Sequence, residues 1–330
     1  KLMSDKYYGG LDFGTSGARI SIINSKKELI YKGSINYKYG FIKPQSWINS
    51  CIELLKGIPN HIKYKLIKLS ISGTSGTLVP CKSNGINIGD SIPYNQICNE
   101  QLDKLKLIAG EDPFLNNPFS SLAKALKLID FYGDNIILRH QSDWISGWLI
   151  NDWRFGEASN NIKLGWNIEK ESWPKLFNSF SLKKYLPKIV KSGNILGKIR
   201  ISLAKEIDLN KNLTIIAGTT DSNAAFISSQ INSNEGLTIL GTTIVLKKTI
   251  KQPINYAGIT SHKINGEWIC GGSSNAGCGV LSKFFCDEEI EELSRQINPL
   301  KKTNLNFLPL NSKGERFPIN DPQLEPIVDP

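Results

Sequence analysis

The sequence predicts an α/β fold built from two domains. The chain has 330 residues, of which 40% are hydrophobic, so it can bury a substantial core and is too long for one small domain. Its first part alternates predicted strands with predicted helices, and a second strand-turn-strand unit begins at Gly236. This order is typical of α/β proteins whose sheet opens with an antiparallel meander.

The opening elements follow from short-range patterns. Alternating apolar and polar residues predict consecutive strands at Tyr8–Phe13, Arg19–Asn24 and Leu29–Tyr37. Apolar residues at helical spacing predict a helix over Trp47–Leu55, after a Pro44-Gln45-Ser46 lead that can cap it. The run Lys65–Ser72 predicts a strand that ends in the loop SGTSGT. Because ligands of α/β proteins bind at the carboxyl ends of strands, we expect this loop at a binding site.

The middle of the chain predicts two helices and a polar loop. The helices are LAKALKLIDFYG, closed by Gly133, and RHQSDWISGWLIND, with Trp144 and Trp148 on its buried face. The stretch from Phe155 to Trp173 is rich in Asn and in aromatic residues. That composition is expected of a loop, and both a lining of a sugar site and an ordinary surface loop fit it.

An aspartate in the first strand requires a local explanation. Strand interiors disfavour Asp, yet Asp12 lies between apolar residues in GGLDFGTSGARISII. The following turn, Gly14 to Gly17, offers hydroxyl groups and backbone N–H groups, and Arg19 follows it. Together these groups suit a phosphate whose charge is shared with Mg²⁺. An ordinary hairpin turn with a surface arginine is the alternative.

A second aspartate follows a buried strand near the middle of the chain. In NLTIIAGTTDSNAAFI, Asp221 lies between a Gly-Thr-Thr turn and the start of a helix. The residue can cap that helix or accept a proton from a substrate hydroxyl group. Shortly afterwards, GLTILGTTIVLKKTI repeats the opening pattern, with a turn at Gly241 to Thr243.

Composition excludes several classes of protein. No apolar run approaches the ~20 residues of a membrane helix, and the first residues lack the apolar core of a signal peptide, which predicts a soluble, cytoplasmic protein without a membrane partner. The six cysteines form no CxxC pair, so we expect thiols rather than disulfides or zinc ligands. The net charge is +10, but the lysines are single or paired, which predicts a solvated surface and no nucleic-acid partner.

The two hairpins with an aspartate between them resemble the FGGY carbohydrate kinase family. DFGTSGAR resembles its first phosphate motif, AGTTDSNAA the segment with its catalytic aspartate, and LGTTIVL its second phosphate motif. Supporting similarities, in the family's order, are SISGTSGTLVPCKSNG, GGSSNAGCGVLSKFF and NFLPLNSKGERFPINDP. The NNIKLGW stretch and the short N-terminal half most resemble cyanobacterial and plant sugar kinases, which are associated with ketopentoses and with D-ribulose in particular.

The resemblance implies a ribonuclease H-like fold of the actin, hexokinase and sugar-kinase type. Residues 1–211 would form an N-terminal domain with the first hairpin and the sugar site, and residues 212–330 part of a C-terminal domain. Sugar and ATP would meet in the cleft between the domains. The family continues through a glycine-rich adenosine motif, so the second domain is expected to be incomplete and the chain to be a fragment, a natural short form being the alternative.

The resemblance also implies roles for individual residues. Asp221 would be the general base that accepts the proton of the sugar hydroxyl, and Asp12 would hold Mg²⁺. ATP phosphates would contact Gly14, Thr15, Ser16, Arg19, Gly241, Thr242 and Thr243. The sugar, D-ribulose or D-xylulose, would contact Ser75, Asp221, Ser222, Glu157 and Trp144.

One element departs from the family pattern. Where the family carries Trp-x-Asp-x-Arg, the chain reads PYNQICNE, with Tyr94 and Asn95. This puts the identity of the sugar in doubt. A catalytically impaired sugar-binding protein of the same fold, and an actin-like or chaperone-like ATPase without a sugar, are the alternative functions.

Overall fold

The computed structural model describes residues 6–328 except residues 111, 113, 242, 255 and 311. The chain divides into two compact units, residues 1–225 and residues 226–330. The first unit contains the strands β1 (Tyr7–Phe13), β2 (Gly17–Asn24), β3 (Leu29–Asn36), β4 (Leu66–Gly73), β5 (Leu78–Cys81), β6 (Ile137–His140), β7 (Phe155–Glu157), β8 (Lys188–Val190), β9 (Ile195–Lys198) and β10 (Thr214–Ile216).

The main sheet of the first unit has the order β3-β2-β1-β4-β10-β9. Strands β1, β2 and β3 form the predicted antiparallel meander, and β1, β4 and β10 are parallel. Two smaller sheets pair β5 with β6 and β7 with β8. Because β10 pairs with β4, the first unit extends beyond residue 211, where the sequence analysis places the domain boundary.

The chain up to Ser228 forms the α-helices α1 (Pro44–Lys56), α2 (Asn60–Lys63), α3 (Leu102–Ala109), α4 (Ser121–Tyr132), α5 (Gln141–Ile150), α6 (Ala158–Asn161), α7 (Leu176–Ser179), α8 (Ile201–Glu206) and α9 (Asp221–Ser228). The predicted helices correspond to α1, α4, α5 and α9, whereas the other helices of the first unit were not predicted, and Arg139 and His140 belong to β6 rather than to a helix. In α1, Pro44 is itself the first helical residue and no side chain caps the helix, so Ser46 lies inside the helix. Among the described residues, no helix is both long and apolar enough to cross a bilayer.

One face of the main sheet packs against helices and the other carries the polar residues. Apolar side chains of β1, β2 and β4 on the covered face are buried, among them Leu11, Phe13, Ile20, Ile22, Leu69 and Ile71. Helices α1, α5 and α8 contribute to the same core, where the rings of Trp47 and Trp144 meet edge to face at 6.1 Å. Since side chains alternate along a strand, Asp12 points to the opposite, partly exposed face. This alternation explains how an aspartate fits into β1.

The first part of the Asn-rich stretch, up to Leu164, is not the loop that its composition predicts, whereas residues 165–172 form turns that are largely exposed. The first part forms β7, then α6, then a 3₁₀ turn over Ile162–Leu164. Glu157 caps α6 by accepting hydrogen bonds from the backbone N–H groups of Ser159 (2.9 Å) and Asn160 (3.0 Å). Residues 158–161 are buried, and their polar groups bond mainly to one another and to α5. Residues 156–161 are therefore part of a packed interior.

The second unit is organised on an antiparallel sheet with the order β11-β12-β14-β13. Its elements are β11 (Gly236–Leu240), β12 (Ile244–Ile250), β13 (Ile259–Ile264), β14 (Glu267–Ser274), a 3₁₀ helix at Cys278–Lys283 and α10 (Asp287–Gln296). The predicted second hairpin is the β11–β12 pair. A small core of Phe226, Ile264 and Ile269 lies in this unit.

Candidate functional site

Three parallel strands of the first unit end at one edge of the main sheet. Asp12 of β1 lies opposite Ser72 of β4, and Phe13 lies opposite Gly73. Gly73 is bridged in turn to Thr220, the residue before Asp221. With ~4.8 Å between neighbouring strands, Phe13 and Thr220 are about 10 Å apart. The fold thus brings the two predicted carboxylates, which are far apart in sequence, to the same edge.

The first predicted phosphate turn joins β1 to β2 at this edge. The Gly14 N–H group donates to the Gly17 carbonyl oxygen at 3.0 Å and closes the turn. Tyr37 holds the turn from outside, because its hydroxyl group donates to the Gly14 carbonyl oxygen at 2.9 Å. Burial, and then the negative charge of Asp12, raise the pKa of Tyr37, so this donor keeps its proton. Thr15 and Ser16, at the tip of the turn, are exposed.

Asp12 is held by two neighbours on the open face of the sheet. Its Oδ1 atom accepts a hydrogen bond from the Ser72 hydroxyl group at 2.9 Å. Its Oδ2 atom lies 3.6 Å from a guanidinium nitrogen of Arg19, its partner in the β1–β2 register. The side chain of Asp12 is 40% exposed and that of Arg19 is 65% exposed, so both can meet a ligand. A carboxylate and a cation are thus available beside the turn.

Asp221 is the first residue of α9 and does not cap it. The capping position belongs to Thr220, whose Oγ1 atom accepts a hydrogen bond from the Asn223 N–H group at 3.4 Å. The half-buried Asp221 carboxylate accepts instead from the Ser222 N–H group at 2.7 Å. Gly218 lets this turn approach β4, since a Cβ atom there would lie 1.8 Å from the Ile71 carbonyl oxygen. In the structure Thr220 occupies the position before α9, and the role of Asp221 stays a prediction.

The loop after β4 carries Ser75 and is fixed at its base. Gln141 accepts hydrogen bonds from both the N–H group (2.9 Å) and the hydroxyl group (2.8 Å) of Thr74. At the tip, the Lys163 ammonium group donates to the Ser75 carbonyl oxygen at 3.1 Å. Ser75 itself is half-buried. This loop lies at the same strand end as Ser72 and therefore belongs to the site.

Two predicted sugar contacts are buried behind this edge. Trp144 belongs to the core, and its indole N–H group donates to the Gly85 carbonyl oxygen at 3.0 Å. Glu157 is 2% exposed; it caps α6 and accepts a further hydrogen bond from Ser192 at 2.7 Å. Glu157 also borders a small cavity that Ile71 and Gly218 line. Neither side chain reaches the exposed surface that Asp12 occupies.

Ionisable groups around Glu157 are shifted towards their neutral forms. Burial raises the pKa of Asp143 to about 8 and also raises the pKa of Glu157. Burial, followed by the positive charges of Lys163 and Lys124, lowers the pKa of His140 to about 3. At neutral pH, burial thus favours the protonated form of Asp143 and the uncharged form of His140.

The second predicted phosphate turn lies in the second unit. The Gly241 N–H group donates to the Thr243 carbonyl oxygen at 3.1 Å, between the paired residues Leu240 and Ile244. The Cys278 N–H group donates to the Gly241 carbonyl oxygen at 2.9 Å. Gly241 and Thr243 are half-buried, whereas Thr242 lies outside the described residues. In each of the two turns, the N–H group of the first glycine thus donates a backbone hydrogen bond that closes the turn.

Ser72, Tyr37 and Gln141 contact the candidate site but were not predicted from the sequence. Ser72 could have been predicted, because the alternation of apolar and polar residues in SISG places its side chain on the open face of a strand that is predicted to end near Asp12. No local sequence pattern indicates Tyr37 or Gln141, since their hydrogen-bond partners, Gly14 and Thr74, are distant in sequence.

The chain is similar to sugar kinases over nearly its whole length. It is 24% identical to the xylulose kinase of Staphylococcus epidermidis, over 96% of this chain and 69% of that protein. The ligand-bound xylulose kinase from Lactobacillus acidophilus superposes with a TM-score of 0.80 at 18% identity, over 96% and 70% of the two chains. Plasmodium falciparum glycerol kinase with ADP has a TM-score of 0.74 at 14% identity, over 89% and 67%. No protein-family model matches the chain.

These similarities establish the fold. The chain has the actin-like, ribonuclease H-type α/β fold of sugar kinases, as predicted from its motifs. The relatives support a sugar kinase family, and the named relative is a xylulose kinase. The predicted closeness to cyanobacterial and plant D-ribulose kinases stays a prediction.

Proposed function

We propose that the protein is a carbohydrate kinase that transfers the terminal phosphoryl group of ATP to a hydroxyl group of a ketopentose, D-xylulose or D-ribulose. The observation that carries the proposal is the register of β1, β4 and β10, which brings Asp12 and the Asp221 turn to one sheet edge. The similarity to a xylulose kinase over 96% of the chain supports the same activity.

Asp221 is assigned the role of general base. The sugar oxygen bonds to the γ-phosphorus of ATP while the bond from that phosphorus to the β–γ bridging oxygen breaks, and ADP leaves. The hydroxyl proton passes to the Asp221 carboxylate. In a loose transition state this proton leaves late, so the position of the carboxylate matters more than its basicity. The place of Asp221 at the start of α9, half-buried and with a carboxylate oxygen held by the Ser222 N–H group, suits a fixed acceptor.

Asp12 is assigned to Mg²⁺ and Arg19 to phosphate charge. Mg²⁺ prefers oxygen ligands and keeps several waters, and a partly exposed carboxylate steadied by a hydroxyl group fits that preference. Bound Mg²⁺ would neutralise charge on the terminal phosphates of ATP. Arg19, exposed beside Asp12, would add a cation for the transferred group. Both assignments also suit the exposed tip of the first turn, Thr15 and Ser16.

The remaining contacts divide between phosphate and sugar. Backbone N–H groups near Gly14 and near Gly241 are assigned to the phosphates. Ser75 and Ser222, both half-buried near the strand ends, are assigned to sugar hydroxyl groups. For Glu157 and Trp144, which are buried, we propose support of the sugar site from behind rather than direct contact.

The test is ADP formation from Mg-ATP by the protein with D-xylulose, D-ribulose, glycerol or no sugar. The proposal expects turnover with a ketopentose well above the rate without sugar, together with a sugar phosphate detected by mass spectrometry. Equal turnover in all four reactions would instead indicate an ATPase without a sugar. Ketopentose binding measured by calorimetry, without any ADP formation, would indicate the sugar-binding alternative.

A further inference from the structure

The GERFP segment, Gly314–Pro318, is bonded to the end of β14 in the second unit. Glu315 is 6% exposed, and its Oε1 atom accepts hydrogen bonds from the N–H groups of Asn275 and Arg316, both at 2.8 Å. Its Oε2 atom accepts a hydrogen bond from the Ser274 hydroxyl group. The Arg316 Nε atom donates to the Ser273 carbonyl oxygen at 2.8 Å. The carboxylate therefore organises the residues that follow β14.

Those residues lead directly to the second phosphate turn. The Ala276 N–H group donates to the Ser274 Oγ atom at 3.0 Å, and Ser274 is the residue that donates to Glu315. Two residues later, the Cys278 N–H group donates to the Gly241 carbonyl oxygen at 2.9 Å. A short series of contacts thus connects the Glu315 carboxylate with Gly241.

Packing prevents the segment from shifting along β14. The Phe317 ring lies on Gly272 so closely that a Cβ atom there would be 2.3 Å from a ring carbon. Interiors packed this tightly transmit a displacement to their neighbours. Loss of the Glu315 carboxylate would therefore displace the residues of the turn after β14, because the Gly314–Pro318 segment cannot shift to compensate.

The carboxylate suits this position better than a neutral side chain. Burial raises the pKa of Glu315, but hydrogen bonds from Ser274 and from the Asn275 and Arg316 N–H groups lower it, and the net direction is downward. The group is therefore ionised near neutral pH. Hydrogen bonds to an ionised acceptor are roughly twice as strong as those between neutral groups.

We propose that Glu315 is a positioning residue that, through Ser274 and the backbone up to Cys278, fixes Gly241 for contact with the phosphates of ATP. The proposal rests on the proposed kinase function. It differs from a general contribution to folding, because the ketose contacts assigned above all lie in the first unit. A positioning role should therefore change the use of Mg-ATP and leave the use of the ketose nearly unchanged.

The experiment compares four variants with the wild-type protein. Glu315→Ala removes the acceptor, Glu315→Gln keeps one oxygen for the backbone N–H groups, and Ser274→Ala removes the hydroxyl bridge. Glu325→Ala is the control, because Glu325 belongs to the same unit but is exposed, and its carboxylate pairs with Lys313 at 3.0 Å. Steady-state kinetics give KM for Mg-ATP and for the ketose separately. Hydrogen–deuterium exchange follows the peptides around residues 241 and 274–278 without any substrate.

Glu315→Ala is expected to raise KM for Mg-ATP about 10-fold, the size of a lost charge-assisted hydrogen bond, with KM for the ketose nearly unchanged. Exchange should accelerate at residues 274–278 and at Gly241. Glu315→Gln should restore part of both effects, Ser274→Ala should reproduce part of them, and Glu325→Ala should match the wild type. Circular dichroism verifies that each variant is folded. Should Glu315→Ala fail to fold, Glu315→Gln and Ser274→Ala answer the same question.

Two results would overturn the proposal. One is faster exchange at residues 274–278 without any change at Gly241, and the other is an equal rise of KM for both substrates. The exchange measurement needs no catalysis. If the wild-type protein shows no ketose-dependent turnover, the kinase proposal fails, and exchange at Gly241 still decides whether Glu315 positions the turn.

Discussion

Ser72 and Asp12 face each other across the parallel strands β4 and β1, and the Ser72 hydroxyl group donates a 2.9 Å hydrogen bond to the Asp12 carboxylate. The pairing holds one oxygen of the carboxylate on the open face of the sheet, while Arg19 lies 3.6 Å from the other. A metal-binding carboxylate depends on such partners for its orientation. The proposed metal site therefore begins with the register of two strands.

Ser72→Ala is expected to weaken the use of Mg-ATP while leaving the fold intact. The hydrogen bond is partly exposed, so its loss should cost only about 1 kcal/mol of unfolding free energy. Loss of a side chain that orients a metal-binding carboxylate typically lowers metal affinity about 10-fold or more. The concentration of Mg²⁺ needed for half-maximal rate should therefore rise by roughly that factor.

The matched control is Ser70→Ala, one alternation earlier on the same face of β4. Titration of Mg²⁺ at fixed ATP, with each variant at its own saturating ketose concentration, measures the effect. The same Mg²⁺ dependence in both variants would contradict the assignment of Asp12 to the metal.

Asp221→Asn is expected to lower kcat by about 10³-fold, within the range that general-base catalysis contributes. The amide keeps the size of the side chain but cannot accept the proton, so KM for the ketose should change little. Steady-state ADP formation measures both constants. Asp103→Asn, an exposed carboxylate in the first turn of α3, is the control and should behave as the wild type. Activity of Asp221→Asn near the wild-type level would remove Asp221 from the mechanism.

Gly218→Ala is expected to destabilise the first unit by about 3 kcal/mol, the upper range of overpacking. The new Cβ atom would lie 1.8 Å from the Ile71 carbonyl oxygen, so β10 and β4 would have to separate just before the Asp221 turn. Gly10→Ala in β1 is the matched control, because no atom lies within 4 Å of a Cβ atom at that glycine. Chemical denaturation of both variants measures the difference. Equal stability would mean that the approach of the two strands is not tight in solution.

Local patterns in the sequence were sufficient to predict the elements around the candidate site. Alternation in Tyr8–Phe13 and in Lys65–Ser72 predicted β1 and β4, and the Gly-Thr turns predicted both hairpins. These patterns are reliable because each depends on residues close together in the chain. The turns also resemble motifs of the FGGY family, and that resemblance is what singles out Asp12 and Asp221, whose roles stay predictions.

Tertiary packing decided what local patterns could not. The polar stretch after Phe155 was predicted as a loop, yet Glu157, Asn160 and Asn161 are buried. Glu157 caps α6 through the Asn160 N–H group, and the Asn161 amide donates to Asp143. The composition of a segment shows that it is polar, but it does not show the hydrogen-bond partners that allow polar side chains to be buried. Helical spacing predicted Trp144 on a buried face, whereas the family resemblance implied a sugar contact; in the structure Trp144 packs in the core against Trp47, which is distant in sequence.

The buried groups of α5 and α6 predict how stability depends on pH. The folded state raises the pKa of Asp143 to about 8, above the ~3.9 of an unfolded aspartate, so the folded protein holds a proton that the unfolded chain has lost. Stability from this group is complete below pH ~4 and is lost as the pH rises towards 8. Glu157 acts in the same direction, because burial raises its pKa too. His140 acts oppositely, but only below its unfolded pKa of ~6.5.

Between pH 6.5 and 7.5, the wild-type protein should therefore lose up to about 1.4 kcal/mol of unfolding free energy, the value for one proton per pH unit. Asp143→Asn should remove most of this slope, because the amide does not titrate. Asp134→Asn, at an exposed carboxylate paired with Lys184, should keep it. Urea denaturation at three pH values measures the slopes. A wild-type stability that rises with pH over this interval, or an unchanged slope in Asp143→Asn, would show that Asp143 is ionised in the folded protein and that its burial is compensated by its neighbours.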